Sequence, residues 1–259
     1  MDARVRERDL LERELRKAIE CDDIFSVYQP LIDLKSGRVR AFEAVPRWTH
    51  AGMGEIAPER FISIAEDNGL IARLSDMLLT KACNDARQWR SEVELAFSIS
   101  PVLLRDPGLP QRVLEILKHI NFPPRQLELG ITESALVRDL DAAQRILGSL
   151  REAGIRIALN DFGTGYSSLY HLRNFKLDKI KIDRTFVEAM ARDPESDTIV
   201  RALVGLGSGL GLEVTAEGVA SEEQCQLLIT HGCDQAQGTY YGGAVSGLNA
   251  LVLMGHRNP

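Results

Sequence analysis

Three apolar runs in this chain each end in an acid with glycine or proline close behind. Residues 39–45 run into Glu43-Ala44-Val45-Pro46-Arg47-Trp48. Residues 155–159 run into Asn160-Asp161-Phe162-Gly163-Thr164-Gly165, and residues 212–216 into Glu217-Gly218-Val219. A short apolar run bounded by glycine or proline has the pattern of a buried strand that opens into a loop. A carboxylate at such a junction is costly to bury unless something pairs with it. Three copies of the layout therefore favour a fold in which many strand ends meet at one polar place. Parallel α/β architectures do this, because their sites gather at the C-terminal ends of the strands.

The remaining pattern agrees. Strand-like runs cover residues 25–33, 38–45, 94–100, 126–132, 155–160, 179–182, 212–217 and 233–239. Helix-length periodic segments cover 58–89, 101–119, 139–153, 185–210 and 221–231. Leu34-Lys35-Ser36-Gly37 is too short for a crossover, so the first two strands are predicted to form an antiparallel hairpin. Eight strands alternating with helices predict an α/β fold, a closed (β/α)8 TIM-like barrel with its first strand reversed. An open doubly wound sheet satisfies the same pattern. Residues 1–22 read as an amphipathic helix leading into the barrel; a coiled-coil arm is the alternative, although the pattern lasts only about two heptads. No linker composition interrupts the chain, so 1–259 is read as a single domain.

Composition narrows the partners. Apolar residues make up 44% and charged residues 26%, as in ordinary globular proteins. A net charge of −6 argues against sequence-independent nucleic-acid binding but leaves room for a small anion held by a local arginine. The four cysteines form no CxxC pair and the five histidines do not cluster, which predicts free thiols in a reducing cytoplasm. No apolar run reaches the ~18 residues of a membrane span, so this chain is not expected to insert in a membrane. The glycine-rich stretch at 205–211 ends a helical segment and enters a strand, the reverse of a phosphate-binding loop.

In a barrel, the polar residues at strand ends are Gln29, Glu43 with Arg47, Ser98, Gly130 with Glu133, Asn160 with Asp161, Lys181, Glu217 and Gln237. Any one of these could be a structural hydrogen-bond partner. So many polar groups converging on one mouth point to a site.

The anchors Tyr28-Gln29-Pro30, Glu43-Ala44-Val45-Pro46-Arg47-Trp48, Ala65-Glu66-Asp67-Asn68-Gly69-Leu70, Ile131-Thr132-Glu133-Ser134, 161–169, Lys181-Ile182-Asp183-Arg184, Glu217-Gly218-Val219 and Gln237-Gly238 occur in order. Over about residues 11–251 the chain resembles the EAL domain family, the cyclic di-GMP phosphodiesterases and their non-catalytic relatives. The resemblance implies an EAL-type barrel in a bacterial cytoplasm, as the cytosolic part of a longer signalling protein. It also implies a two-cation centre of Mg²⁺ or Mn²⁺ in active members. Their ligands are the signature Glu, a strand-three Asn, a strand-four Glu, an Asp pair and the Glu of the Glu-Gly-Val string, assisted by a Lys and a Gln. Carried over, Glu43, Asp161, Lys181, Glu217 and Gln237 are kept. Val45 replaces the signature Leu, Ser98 the Asn, Gly130 the Glu, and Asn160 the first Asp, while Gly243-Ala244 stands where the family has Arg-Pro.

Two carboxylates are thus missing from a centre that must hold about four positive charges. Each ~1.4 kcal/mol of lost transition-state stabilisation costs tenfold in rate. The expectation is a degenerate, non-catalytic domain with no intact metal site, in which Glu43, Asp161, Lys181 and Glu217 are remnants. Mg²⁺ or Mn²⁺ would matter only to residual hydrolysis. The expected function is a cyclic di-GMP receptor that needs no cofactor, with contacts from Gln29, Glu43, Arg47, Asp161, Lys181, Glu217, Gln237 and Gly238. The alternatives are a nucleotide-blind protein-interaction scaffold and a weak phosphodiesterase. The intact loop 161–169 is, by resemblance, a candidate homodimer or protein-partner element; the plainer reading is that its glycines serve turn conformations.

Overall fold

Closure of the sheet rests on its first strand. The computed structural model describes residues 3–164 and 175–255. The strands are β1 (Ile24–Asp33), β2 (Val39–His50), β3 (Gly54–Ile56), β4 (Glu94–Ser98), β5 (Leu127–Thr132), β6 (Arg156–Phe162), β7 (Lys179–Ile182), β8 (Glu213–Ala216) and β9 (Gln235–Ala236). Their order is β1-β9-β8-β7-β6-β5-β4-β2-β3, and β1 also pairs with β2, so the sheet closes into an eight-stranded barrel with β3 as an appendage of β2. β1 runs antiparallel to both neighbours, while the pairs from β2–β4 through β8–β9 are parallel. This is the reversed-first-strand barrel that the sequence predicts, and it excludes the open sheet.

Alternation along β1 and β2 sorts their side chains. Tyr28, Phe42 and Trp48 face the helices and meet Trp89 and Phe61 edge-on or tilted, with ring centroids 5.0–5.8 Å apart. Gln29 and Glu43, paired in register, share the opposite face, toward the lumen.

The helices are α1 (Ala3–Cys21), α2 (Pro58–Asp67), α3 (Ile71–Ala86), α4 (Leu109–Ile120), α5 (Glu133–Arg138), α6 (Leu140–Glu152), α7 (Arg184–Ala189), α8 (Pro194–Gly209), α9 (Glu222–His231) and α10 (Gly247–Gly255). Helix α1 buries Leu11, Leu15, Ala18 and Ile19. Its polar side is tied down by ion pairs of Glu7 with Arg60 and Arg8 with Asp67, and by a 3.4 Å hydrogen bond between His50 Nε2 and Glu14 Oε2. The amphipathic entry helix therefore packs on the barrel. All four cysteines are free. No described helix is long and apolar enough to cross a membrane.

Three predicted helices are each broken in two. The segment 58–89 divides at Asn68-Gly69-Leu70, where Gly69 takes a φ of 68°. The segment 101–119 opens with a separate 3₁₀ turn, Pro101–Arg105. The segment 185–210 restarts at Asp193-Pro194, where the Asp193 side chain accepts from the amides of Glu195 and Ser196. The predicted strand 38–45 extends to His50 because β3 pairs with it, and the predicted strand 233–239 shrinks to Gln235–Ala236.

The N-terminal end of the barrel is closed by charge. Lys179 Nζ lies 2.5 Å from Glu128 Oε2 and donates to Gln235 Oε1 at 3.0 Å. Arg156 bonds Glu94 at 2.7 and 2.9 Å and Glu213 at 2.6 Å. Removing one member of a buried pair strands the other, which typically costs about 3–5 kcal/mol, whereas replacing both is often close to neutral. Lys179→Met should therefore destabilise the chain by about that amount in urea denaturation, and Lys179→Met with Glu128→Leu should recover most of the loss.

Candidate functional site

The C-terminal end of the barrel carries a second layer of charge. Lys179 and Lys181 alternate onto the same face of β7, so Lys181 stands directly above the plug. Its side chain is 1% exposed, and its Nζ lies 3.2 Å from Glu43 Oε2 and 3.4 Å from Glu217 Oε1. Glu43 comes from β2 and Glu217 from the turn after β8. Gln237, just past β9, donates to Glu43 Oε2 at 2.8 Å, and Ser98 at the end of β4 donates to Glu43 Oε1 at 3.3 Å.

These contacts divide the protons. Burial works against the Lys181 charge, but Glu43 and Glu217 outweigh it and hold the ammonium above its ordinary range. Burial would raise the Glu43 carboxyl, but Lys181 and the bonds from Gln237 and Ser98 bring it below the ordinary value. Glu217 goes the other way. Its burial, with the nearby charges of Glu43 and Asp161, outweighs Lys181 and lifts it to about 7. Asp161 is also raised, first by burial and then by Asp183. Its φ of 56° is left-handed, and the register of β6 on β7 shifts between Leu159 and Phe162. Aspartate is among the residues that tolerate this conformation.

Opposite the acids lies a neutral half. Ser98 pairs in register with Gly130, and Thr132 pairs with Asn160. Asn160 Nδ2 donates to Ser98 Oγ at 3.1 Å. A Cβ at position 130 would meet that same Nδ2 at 2.6 Å, so the Asn160 amide fills the space Gly130 leaves. Asn160 Oδ1 and Gln237 Oε1 are buried acceptors with no partner among the described residues, as are both carboxylate oxygens of Glu133.

Arg47 stands at the rim, four residues beyond Glu43 on β2, with its Nε 3.4 Å from Glu55 Oε1. Gln29 faces the lumen beside Glu43. Gly238 packs its Cα against the backbone of Val219, where a Cβ would lie 2.1 Å from Val219 O, and so serves the close approach of two loops. The structure thus gathers Gln29, Glu43, Ser98, Gly130, Asn160, Asp161, Lys181, Glu217 and Gln237 at one mouth, with Arg47 at its rim. Among the described residues no group of three or more His, Cys, Asp and Glu side chains is placed to hold a metal ion. The loop 161–169 extends past the described residues from 165 onward. Sequence reasoning missed the interlock of Asn160 with Gly130, because the two lie on different strands.

The EAL domain family profile matches residues 12–244. An uncharacterized signaling protein of Caulobacter vibrioides is 45% identical over 253 residues, covering 98% of this chain and 31% of that protein. The bifunctional diguanylate cyclase/cyclic di-GMP phosphodiesterase MucR of Pseudomonas aeruginosa is 36% identical over 246 residues, covering 93% of this chain and 36% of that protein. The solved PaMucR phosphodiesterase in its c-di-GMP complex matches with a TM-score of 0.89 at 35% identity, over 93% of this chain and 100% of that one. The chain spans about a third of the length of these two curated relatives.

Two outcomes follow from the geometry. Gly130→Ala should displace the Asn160 amide and cost about 1 kcal/mol, the worth of one hydrogen bond, and the cost should vanish in an Asn160→Ala background. A double-mutant cycle by chemical denaturation measures this. Glu217 titrates near 7 when folded, above the ordinary 4.5. The folded state then binds the extra proton between those values, so this group's contribution to stability falls as pH rises through that window. Glu217→Gln should therefore gain stability relative to the parent chain between pH 5 and 8, read as the difference in Tm at each pH.

Proposed function

Since this chain belongs to the EAL domain family, we propose that it is a cyclic di-GMP receptor module that binds the dinucleotide without hydrolysing it. The observation that carries the reading is the state of Glu43. Both of its oxygens are engaged, by Ser98 on one side and by Gln237 and Lys181 on the other. EAL-type hydrolysis runs on Mg²⁺ or Mn²⁺, hard cations that want carboxylate oxygens. Position 130 offers no side chain, position 160 an amide already turned to Ser98, and position 98 a hydroxyl already donating to Glu43. This donor set does not fit a two-cation centre. Loss of even one cation removes several kcal/mol of transition-state stabilisation, which is orders of magnitude in rate.

Binding draws on other groups. Arg47 can meet a phosphate by a charge-assisted hydrogen bond. The unpartnered acceptors Asn160 Oδ1 and Gln237 Oε1 suit the N–H edge of a guanine, and Gln29 and Asp161 stand beside them. The PaMucR domain, alike over nearly its whole length, is seen in complex with c-di-GMP. On this reading the chain is the cytosolic receptor part of a longer bacterial signalling protein. Its loop 161–169, with the sequence intact, serves a homodimer or a protein partner. Sequence kinship to bifunctional MucR favours one second reading, a weak residual phosphodiesterase.

Calorimetric titration of cyclic di-GMP in EDTA tests the proposal. Micromolar or tighter binding is expected, unchanged by Mg²⁺ or Mn²⁺ and weakened at least about tenfold by Arg47→Ala. Absence of heat and of a thermal shift at high ligand would sink the receptor reading in favour of a scaffold. Linear product accumulating with Mn²⁺ at many turnovers per hour would establish the enzyme.

A further inference from the structure

The wall formed by β1 and β2 is graded from floor to rim. Residues directly opposite in an antiparallel pair point to the same side. Gln29 lies opposite Glu43, Val27 opposite Val45, and Phe25 opposite Arg47. Glu43 faces the lumen, so these three rungs line one surface: a polar floor, an apolar middle, and a rim where an aromatic ring stands beside a guanidinium. The intervening residues of β1 point the other way; Ile24 and Tyr28 are fully buried in the core. Successive rungs are about 6.6 Å apart, so the wall rises about 13 Å from Gln29 to Phe25.

Phe25 is 45% exposed, while its strand neighbour Ile24 is wholly buried. The core does not need its ring, and the strand would form with a polar residue there. An aromatic face open to solvent, beside a cation and above an apolar step, is the composition that receives a base and its phosphate together.

Resting on the receptor reading, we propose that Phe25 is a stacking platform for a purine base at the rim of the barrel, with Arg47 on the adjacent phosphate. Recognition by ring face needs no metal. It would supply orientation to a ligand whose phosphates are not clamped by cations. It also sets specificity: a purine nucleotide is favoured over a phosphate ester of similar charge that lacks an extended ring.

The experiment is calorimetric titration of cyclic di-GMP in EDTA into the parent chain and into Phe25→Ala, Phe25→Leu and Phe25→Trp, with thermal melts as a folding control. Phe25→Ala is expected to weaken binding about 5- to 100-fold without lowering Tm. Phe25→Leu, which restores apolar area but no ring, should remain weak. Phe25→Trp should bind at least as tightly as the parent and add a ligand-dependent change in tryptophan emission absent from the parent. Equal affinity of the parent, Ala and Leu chains overturns the platform while leaving the receptor reading standing. Rescue by Leu as complete as by Trp also overturns it, since area alone would then suffice. A parent chain that binds no cyclic di-GMP overturns the receptor reading and the platform with it.

Discussion

One ammonium group, Lys181 Nζ, organises the upper lumen of this barrel. A buried lysine keeps its charge only when acids stand close, and here two do, at 3.2 and 3.4 Å. One cation cannot balance two carboxylates in a low-dielectric pocket. The acid with more hydrogen bonds, Glu43, stays ionised, and the other, Glu217, is driven toward its neutral form. The floor of the mouth thereby carries less negative charge than three fully ionised carboxylates (Glu43, Asp161 and Glu217) around one ammonium would give. An anionic ligand entering from the rim meets Arg47 first.

The same strand supplies the cation beneath. Lys179 and Lys181 are one alternation apart on β7, and each faces acids from other strands. The lower layer is locked by Arg156, Glu94, Glu213 and Glu128 into a plug. Both layers retain buried polar atoms without a hydrogen-bond partner among the described residues, Glu128 Oε1 and Gln235 Nε2 below, and Asn160 Oδ1 and Gln237 Oε1 above; the upper ones lie at the open mouth. This division matches the general rule for such barrels, in which the N-terminal end serves stability and the C-terminal end serves ligands.

Most of the architecture could be read from the chain because strands here are short apolar runs with glycine or proline behind them. The hairpin of β1 and β2 followed from a connection too short for a crossover. Helix breaks were harder. Asn68-Gly69 sits inside a segment whose apolar period continues on both sides, so periodicity alone runs across it. The site residues were legible as acids and amides at strand ends, but their partners were not. Glu43 finds Gln237 from the far end of the chain, and Glu128 finds Lys179 two strands away. Closure of the barrel makes both contacts, and no local pattern records them. Phe25 went unremarked for a related reason: an aromatic residue in a strand looks like core until the register shows which face it takes.

The mouth combines two chemically distinct groups of side chains. Strands β2, β7, β8 and β9 bring Glu43, Lys181, Glu217 and Gln237, an ionic network already paired within itself. Strands β4, β5 and β6 bring Ser98, Gly130 and Asn160, a hydroxyl, a gap and an amide, with the amide filling the gap, and β6 also brings the acid Asp161. Among the described residues the two groups meet at Ser98 Oγ, which donates to Glu43 and accepts from Asn160. A carboxylate introduced at position 130 alone would collide with the Asn160 amide, and one introduced at 160 would lose the bond that Asn160 Nδ2 donates to Ser98. Ser98, Gly130 and Asn160 are in mutual contact and are therefore expected to respond to substitution as one unit. Steric complementarity between the space at Gly130 and the Asn160 amide holds it in place.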